Sequence, residues 1–304
     1  MFHKFFIASL SLLLSLPALC QLPMTDSSAS CVAYWKKGAT KTLYINHNKT
    51  TGGHQDVDFF YEAAVTVLDS TATGYTLQWI FHLPESVKQA KPGLADSLPV
   101  FEGLKMIYTT TGTGMFTTLS NWETVRDAYV KMMEYSLPKK LDSTAIAAIE
   151  KAKAMYGTRE IVESALIREI QLYHFPFGYE FSTQQVSANT QLPNPFSATP
   201  IPAVQTIQIK AINQKAGDFK LAITLAIDKS AARTVFEAIV NKMGMDKDKV
   251  VAEAKQMLDS FEITDYSEYL ITPSTGWIKR IDYKRTVNYA GKTQTDSYTI
   301  GIKE

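Results

Sequence analysis

Residues 59–83 read FFYEAAVTVLDSTATGYTLQWIFHL, and their pattern decides the fold class. Phe59, Tyr61, Ala63, Val65 and Val67 alternate with Phe60, Glu62, Ala64 and Thr66. That period of two with one apolar face is the mark of a half-buried strand. Asp69–Gly74 (DSTATG) is rich in turn-forming residues. Tyr75, Leu77, Trp79, Phe81 and Leu83 then repeat the alternation. Two such runs around a short polar turn predict an antiparallel hairpin.

Working outward, Lys41–Ile45 is a short alternating run before the hairpin, and 84–99 is a polar excursion without assignment. Gly103–Thr110 and Met115–Leu119 form a second hairpin around Thr111-Gly112-Thr113-Gly114. The period then changes. Asn121 is a plausible N-cap, followed at helical spacing by Trp122, Val125, Tyr129, Met132 and Met133. Pro138 stops this helix. A second is expected from Asp142 or Ser143 to Tyr156, ended by Gly157. Thr158 opens a third, with Ile161, Ala165, Leu166 and Ile170 on one side.

Residues 173–203 are the least regular: YHFPFGYEFS is aromatic and turn-rich, and LPNPFSATPIP carries four prolines, which excludes a central strand or helix. Strands resume at Val204–Ile212 and Phe219–Ile227, and helices are expected over Ser230–Met243 and Asp248–Leu258. Trp277, Lys279, Ile281, Tyr283, Arg285, Val287 and Tyr289 then mark one face of a long strand, followed by alternation over 294–302. Lys279 and Arg285 on an aromatic face imply either snorkelling to solvent or a half-exposed face. The order of strands, helices, proline-rich passage, strands, helices and strands gives an α+β fold. Its expected form is a large antiparallel β-sheet packed against amphipathic helices.

The chain starts MFHKFFIASLSLLLSLPALC. A short polar start, an apolar run over Phe5–Leu16, Pro17 and then small residues make a cleavable secretory leader over 1–20. The run is shorter than the roughly 20 residues a bilayer requires. Lipidation at Cys20 is the less favoured alternative, because Leu19 precedes it where a small residue is usual. The expected divisions are 21–172, a connecting passage at 173–203, and 204–304, as two units or one continuous domain. The expected location is secreted or periplasmic, with no integral membrane segment in the mature chain.

Thirty-one basic and 30 acidic residues give no electrostatic case for nucleic acid or for anionic lipid surfaces. After cleavage only Cys31 remains, so an internal disulfide is ruled out and packing must hold the fold. His47, His54, His82 and His174 share no metal-ligand spacing. His47 and His54 flank a polar turn and read as solvated, whereas His174 reads as an aromatic-packed, hydrogen-bonded core residue. No GxSxG occurs, and Ser274-Thr275-Gly276 reads as a turn rather than a nucleophile elbow. Glu160, Glu163 and Glu169 read as locally paired with Arg159 and Arg168; Glu262, Asp265 and Glu268 read as a solvated face. Asn48-Lys49-Thr50 matches a glycosylation acceptor, relevant only in a glycosylating cell. No catalytic residue, metal site or cofactor is assigned, and the chain is expected to be non-catalytic.

The remaining functional signal is aromatic: 15 Tyr, 15 Phe and 4 Trp. Trp79, Phe81, Tyr173, Phe177, Tyr179, Trp277, Tyr283 and Tyr289 are the candidates to line an apolar pocket between sheet and helices. Phe175 and Phe181 group with them, and an ordinary packed core is the competing reading of the whole set.

The segments YWKKGATKT, VLDSTATGYTLQW, FTTLSNWETVRD and ITPSTGWIKRIDYKRT resemble uncharacterised secreted proteins of Bacteroidetes-type bacteria. The terminal strands are also similar to curved-sheet periplasmic carriers and lipoproteins of the LolA and LppX type. That second resemblance implies a curved, half-barrel-like sheet cupping helices around an apolar cavity. The expected function is therefore binding of an apolar or amphipathic ligand, such as a lipid. The alternatives are a structural or protein-interaction module of the cell envelope with an envelope-protein partner, and an uncharacterised hydrolase.

Overall fold

In the computed structural model, which describes residues 24–90, 101–135, 143–192, 200–227, 261–304 and isolated positions between 230 and 237, the decisive hairpin forms as β3 (His54–Ser70) and β4 (Gly74–His82). Val65 faces Trp79 and Val67 faces Leu77 across the pair. All four side chains are buried, together with Tyr61, Ala63 and Phe81. Thr71 closes the turn through its hydroxyl, which donates to the Gly74 carbonyl at 3.0 Å.

β2 (Thr40–Thr51) flanks β3 on one side, and β5 (Lys105–Thr111) and β6 (Phe116–Leu119) extend the sheet beyond β4. The second strand-rich portion supplies β8 (Val186–Leu192), β9 (Ile201–Asn213), β10 (Asp218–Ile227), β11 (Glu262–Thr272), β12 (Trp277–Tyr289) and β13 (Lys292–Ile302). The last strand pairs with β2, from Ile302 opposite Leu43 to Gln294 opposite Thr51. Both portions thus share one 11-stranded sheet in the order β6-β5-β4-β3-β2-β13-β12-β11-β10-β9-β8, every pair antiparallel. The sheet is open, ending at β6 and β8, and does not close into a barrel. A separate two-stranded ladder joins β1 (Ser28–Cys31) to β7 (Tyr179–Ser182).

Five helices are described: α1 (Glu85–Ala90), α2 (Trp122–Tyr135), α3 (Ser143–Met155), α4 (Arg159–Leu166) and α5 (Arg168–His174). The third expected helix is therefore two, broken at Ile167, whose φ of −126° and ψ of 34° leave the helical region. Asn121 does not cap α2 through its side chain. Its amide oxygen accepts the Ile107 N–H at 2.8 Å and its NH2 donates to the Lys105 carbonyl at 2.7 Å, pinning the helix start to β5. The passage 173–203 holds β7 and the edge strand β8, with Pro202 second in β9. Most of the two helices expected over 230–258 lies outside the described residues.

A β-bulge settles the odd lysine of the last long strand. Leu270 faces Arg280 and Ile271 faces Ile278, so Lys279 is the extra residue and the inward register shifts by one. Lys279 is exposed and reaches Asp218 at 3.2 Å, while Ile278, Ile281 and Tyr283 are buried. Arg285 stays on the inner face.

The register lays inner-face residues of successive strands in rows. One runs Tyr61, Ile45, Ile300, Ile281, Tyr269, Leu221, Ile209 across seven strands, all buried. At one end of the sheet face, Trp35 packs its indole within 5.1–5.6 Å of the rings of Tyr75, His174, Phe177 and Trp277. Its N–H donates to the Gly276 carbonyl at 2.7 Å. Gly276 has a φ of +64°, and a Cβ there would lie 2.7 Å from the Tyr34 nitrogen, so the turn before β12 needs glycine. Completely buried, a ring the size of Phe177 contributes about 2–3 kcal/mol.

Candidate functional site

His174 anchors the dry end. Its Nδ1–H donates to the Gly114 carbonyl at 2.8 Å, which leaves Nε2 to accept the Tyr108 hydroxyl at 3.0 Å. Burial lowers its pKa to about 4, against a smaller opposing effect of the Gly114 bond. A neutral, fully bonded imidazole is a packing element. Cys31 is buried nearby on β1, and burial raises its thiol far above the ordinary range, leaving it unreactive.

Toward the opposite end of the same face the rows change character. The next one runs Phe59, His47, Tyr298, Tyr283, Ser267, Ile223, Ile207. Beyond it come Val57, Lys49, Asp296, Arg285, Asp265, Leu225, Gln205. Here two hollows open on either side of α5.

The larger, about 790 Å³, lies over the N-terminal half of the sheet. Its floor is Phe59, Tyr61, Phe81 and Met106, and its helical wall is Val125, Tyr129, Met132 and Leu166. The apolar face read for α2 is therefore divided: Val125 is buried in the core with Trp122 packed against it, while Tyr129 and Met132 stay partly exposed along this space. Phe59, Tyr61 and Phe81 stack with ring centroids 4.5–6.1 Å apart. The polar groups at this hollow include His47 and Glu169. Burial holds the Glu169 carboxyl above its ordinary range, opposed by a hydrogen bond from the Tyr61 hydroxyl and by His47 and Arg168.

The smaller hollow, about 270 Å³, lies over the C-terminal half, between α5 and β10–β12. Arg285 clamps Asp265 with two bonds of 2.7 Å, from Nε and Nη2. Its other polar and aromatic lining includes Arg168, Gln171, Ser267, Phe175, Tyr269 and Tyr283. Between the hollows stands a ridge. His47 Nε2 donates to Asp296 at 2.7 Å, and Arg168 Nη1 donates to the other oxygen of the same carboxylate at 3.0 Å. His47 also stacks flat on Tyr298, 4.2 Å between centroids and 7° between planes. Burial opposes the Asp296 charge, but His47 and Arg168 more than offset it, holding the carboxyl below its usual value.

The aromatic candidates are dispersed. Phe81 lines the larger hollow and Tyr283 the smaller one. Trp79, Tyr173 and Phe177 are buried at 0–1% exposure and contribute to packing. Tyr173 accepts the Ile278 N–H at 3.2 Å, tying α5 to β12. Trp277 is buried against Trp35 but also borders a groove on the other side, near Tyr44 and Lys303. Tyr289 is half-buried near the end of β12, Tyr179 is exposed, and Phe181 is buried in β7. Phe175 is exposed at the mouth of the smaller hollow.

Several polar readings change. His47 is not a solvated turn residue: it sits mid-strand on the inner face, bonded and stacked. Asp265 does not share a solvated face with Glu268, because alternation along β11 turns Asp265 inward to Arg285 and Glu268 outward to Lys220. Arg168 pairs with Asp296 across 128 residues of chain, and Glu163 accepts the Leu119 N–H of β6 at 2.7 Å. Local helix pairing explains neither. Alternation alone could have flagged Asp265, Ser267 and Arg285 as inward polar residues. Among the described residues no three His, Cys, Asp or Glu side chains gather as a metal site, and no helix is long and apolar enough to cross a membrane.

No family model and no curated sequence matches this chain. Among solved structures it is similar to lipovitellin, described for its lipid–protein interactions, at 8% identity and a TM-score of 0.40. That likeness covers 88% of this chain, which spans 25% of the lipovitellin chain. It is also similar to a LolA superfamily protein from Nitrosomonas europaea, at 6% identity and a TM-score of 0.17, covering 90% of this chain and 89% of that one. Both likenesses are weak and partial, and neither assigns a ligand to this chain. Nor do they tie it to a specific Bacteroidetes family.

Proposed function

We propose that this protein is a non-catalytic secreted or periplasmic binder of an apolar or amphipathic molecule, held in the larger hollow. The observation that supports this reading is the hollow itself. Its volume falls within the range of small-molecule sites, and its walls are mainly aromatic and aliphatic, with His47, Asp56, Asp58 and Glu169 as the ionisable groups. Phe59, Phe101, Leu104 and Met106 are left only partly buried, so an apolar occupant would remove their surface from water, gaining about 25 cal/mol per Å².

Titration of the full chain with an environment-sensitive apolar fluorophore tests this. Saturable one-to-one binding is expected, displaced by a twelve-carbon amphiphile. Leu104→Trp, which puts bulk into the hollow at a partly exposed wall, is expected to weaken binding at least about tenfold, or about 1.4 kcal/mol. No saturable binding, or an unchanged affinity in a folded Leu104→Trp variant, overturns the reading.

A further inference from the structure

The smaller hollow has a composition that apolar binding does not call for. We infer that it is a binding site for a zwitterionic group, an anionic and a cationic moiety a few atoms apart. Its formal charges balance: Arg168 and Arg285 stand against Asp265 within the lining and Asp296 behind it. A net-charged guest in so small and partly buried a space would leave charge uncompensated at a cost in desolvation. A zwitterion leaves the balance intact.

The lining also offers both halves of the recognition. A guanidinium carries five N–H donors. Arg285 spends Nε and Nη2 on Asp265, and Arg168 spends one nitrogen on Asp296. Among the described residues the rest of both forks remains for an anionic moiety. For the cationic moiety, the lining holds Asp265 together with the rings of Tyr269, Tyr283 and Phe175, Tyr283 being the ring that interacts with the Asp265 carboxylate. Aromatic faces next to a carboxylate attract ammonium groups, quaternary ones included. Phe175, 43% exposed, has its large ring at the mouth of this hollow with no apolar cover over much of it.

Such a group has two sources, a free small molecule or the headgroup of an amphiphile whose apolar part fills the larger hollow. The second source rests on the function proposed above. The geometry accommodates it. Tyr283 and His47 face different hollows from β12 and β2, with only β13 between, which is about 10 Å at the usual strand spacing. Consecutive residues Arg168 and Glu169 face one hollow each, and the ridge side chains His47, Asp296 and Arg168 keep 22–29% of their surface in solvent.

The test is calorimetric titration of the full chain with dodecylphosphocholine below its micelle concentration, sodium dodecanoate, and phosphocholine alone. A preference of about tenfold or more for dodecylphosphocholine over dodecanoate, with no binding of phosphocholine alone, supports the inference with a headgroup as the source. Saturable binding of phosphocholine alone supports it with a free zwitterion as the source, and does so even if neither amphiphile binds, in which case only the larger-hollow reading fails. Equal affinity for both amphiphiles without phosphocholine binding overturns the inference and leaves that reading standing. Binding of none of the three overturns both. The double variant Asp265→Leu/Arg285→Met, which removes both partners together, is expected to abolish the zwitterion preference; a preference retained at full strength overturns the assignment to these residues.

Discussion

The two hollows open on one face of one sheet and both touch α5, yet one is mainly apolar and the other carries an ion pair. Over β3–β5 the inner face carries Phe59, Tyr61, Phe81 and Met106 at the first hollow; over β11 and β12 it carries Asp265, Ser267, Tyr283 and Arg285 at the second. A carboxyl beside the first, Glu169, is held above its ordinary pKa by burial, whereas Asp296 on the ridge is held below its own by His47 and Arg168. An open antiparallel sheet can thus present two chemistries from one face, because each strand adds its own residue to every row.

The largest expected effect comes from breaking the ionic side. Asp265→Leu alone leaves Arg285 without its clamp and should cost about 3 kcal/mol in chemical denaturation, while the Asp265→Leu/Arg285→Met pair should lie near wild type. If the single variant is as stable as wild type, the smaller hollow is ordinary solvated surface and the contrast fails.

The dry end of the same sheet face, opposite the hollows, supplies the next effect. His174 takes its proton near 6.5 when unfolded and near 4 when folded, so the unfolded state binds more protons in that window. Stability is therefore fully present above about pH 6.5 and falls as pH drops toward 4, by about 3 kcal/mol. Denaturation at pH 7, 5.5 and 4 reads this, and His174→Gln should flatten it. An unchanged acid slope in the variant would move the sensitivity to the ridge.

A smaller effect sharpens the apolar side. Glu169 has its folded pKa raised, so the stability its neutral form contributes is present at low pH and lost as pH rises through the folded value. Glu169→Gln should therefore be more stable than wild type at pH 7 and should lose that advantage below about pH 4. The smallest effect lies outside both hollows: Val186→Lys on the exposed edge strand β8 should change stability by no more than about 0.5 kcal/mol and ligand binding not at all.

What could be read from the chain followed the range of each signal. The hairpin at 59–83 was legible because alternation and turn chemistry are local, and its register places Val65 and Trp79 as expected. The α+β class followed in the same way. The joining of β2 to β13 was not legible, since pairing residues some 250 positions apart leaves no local pattern. With that pairing went the ridge, as His47 meets Asp296 only through it. The bulge at Lys279 was hidden for a different reason: a single inserted residue reverses the faces of a strand without altering its composition. The aromatic count pointed to a pocket but could not separate Phe81, which lines one, from Trp79, two residues earlier on the same face, which is sealed in the core.

Native mass spectrometry of the protein, purified from cells in parallel with Leu104→Trp, tests the proposed role of the larger hollow most directly. The apolar-binding reading predicts a lipid-extractable guest near one per chain on wild type, depleted in the variant. A folded wild-type protein that carries no such guest and takes up no added amphiphile would contradict it.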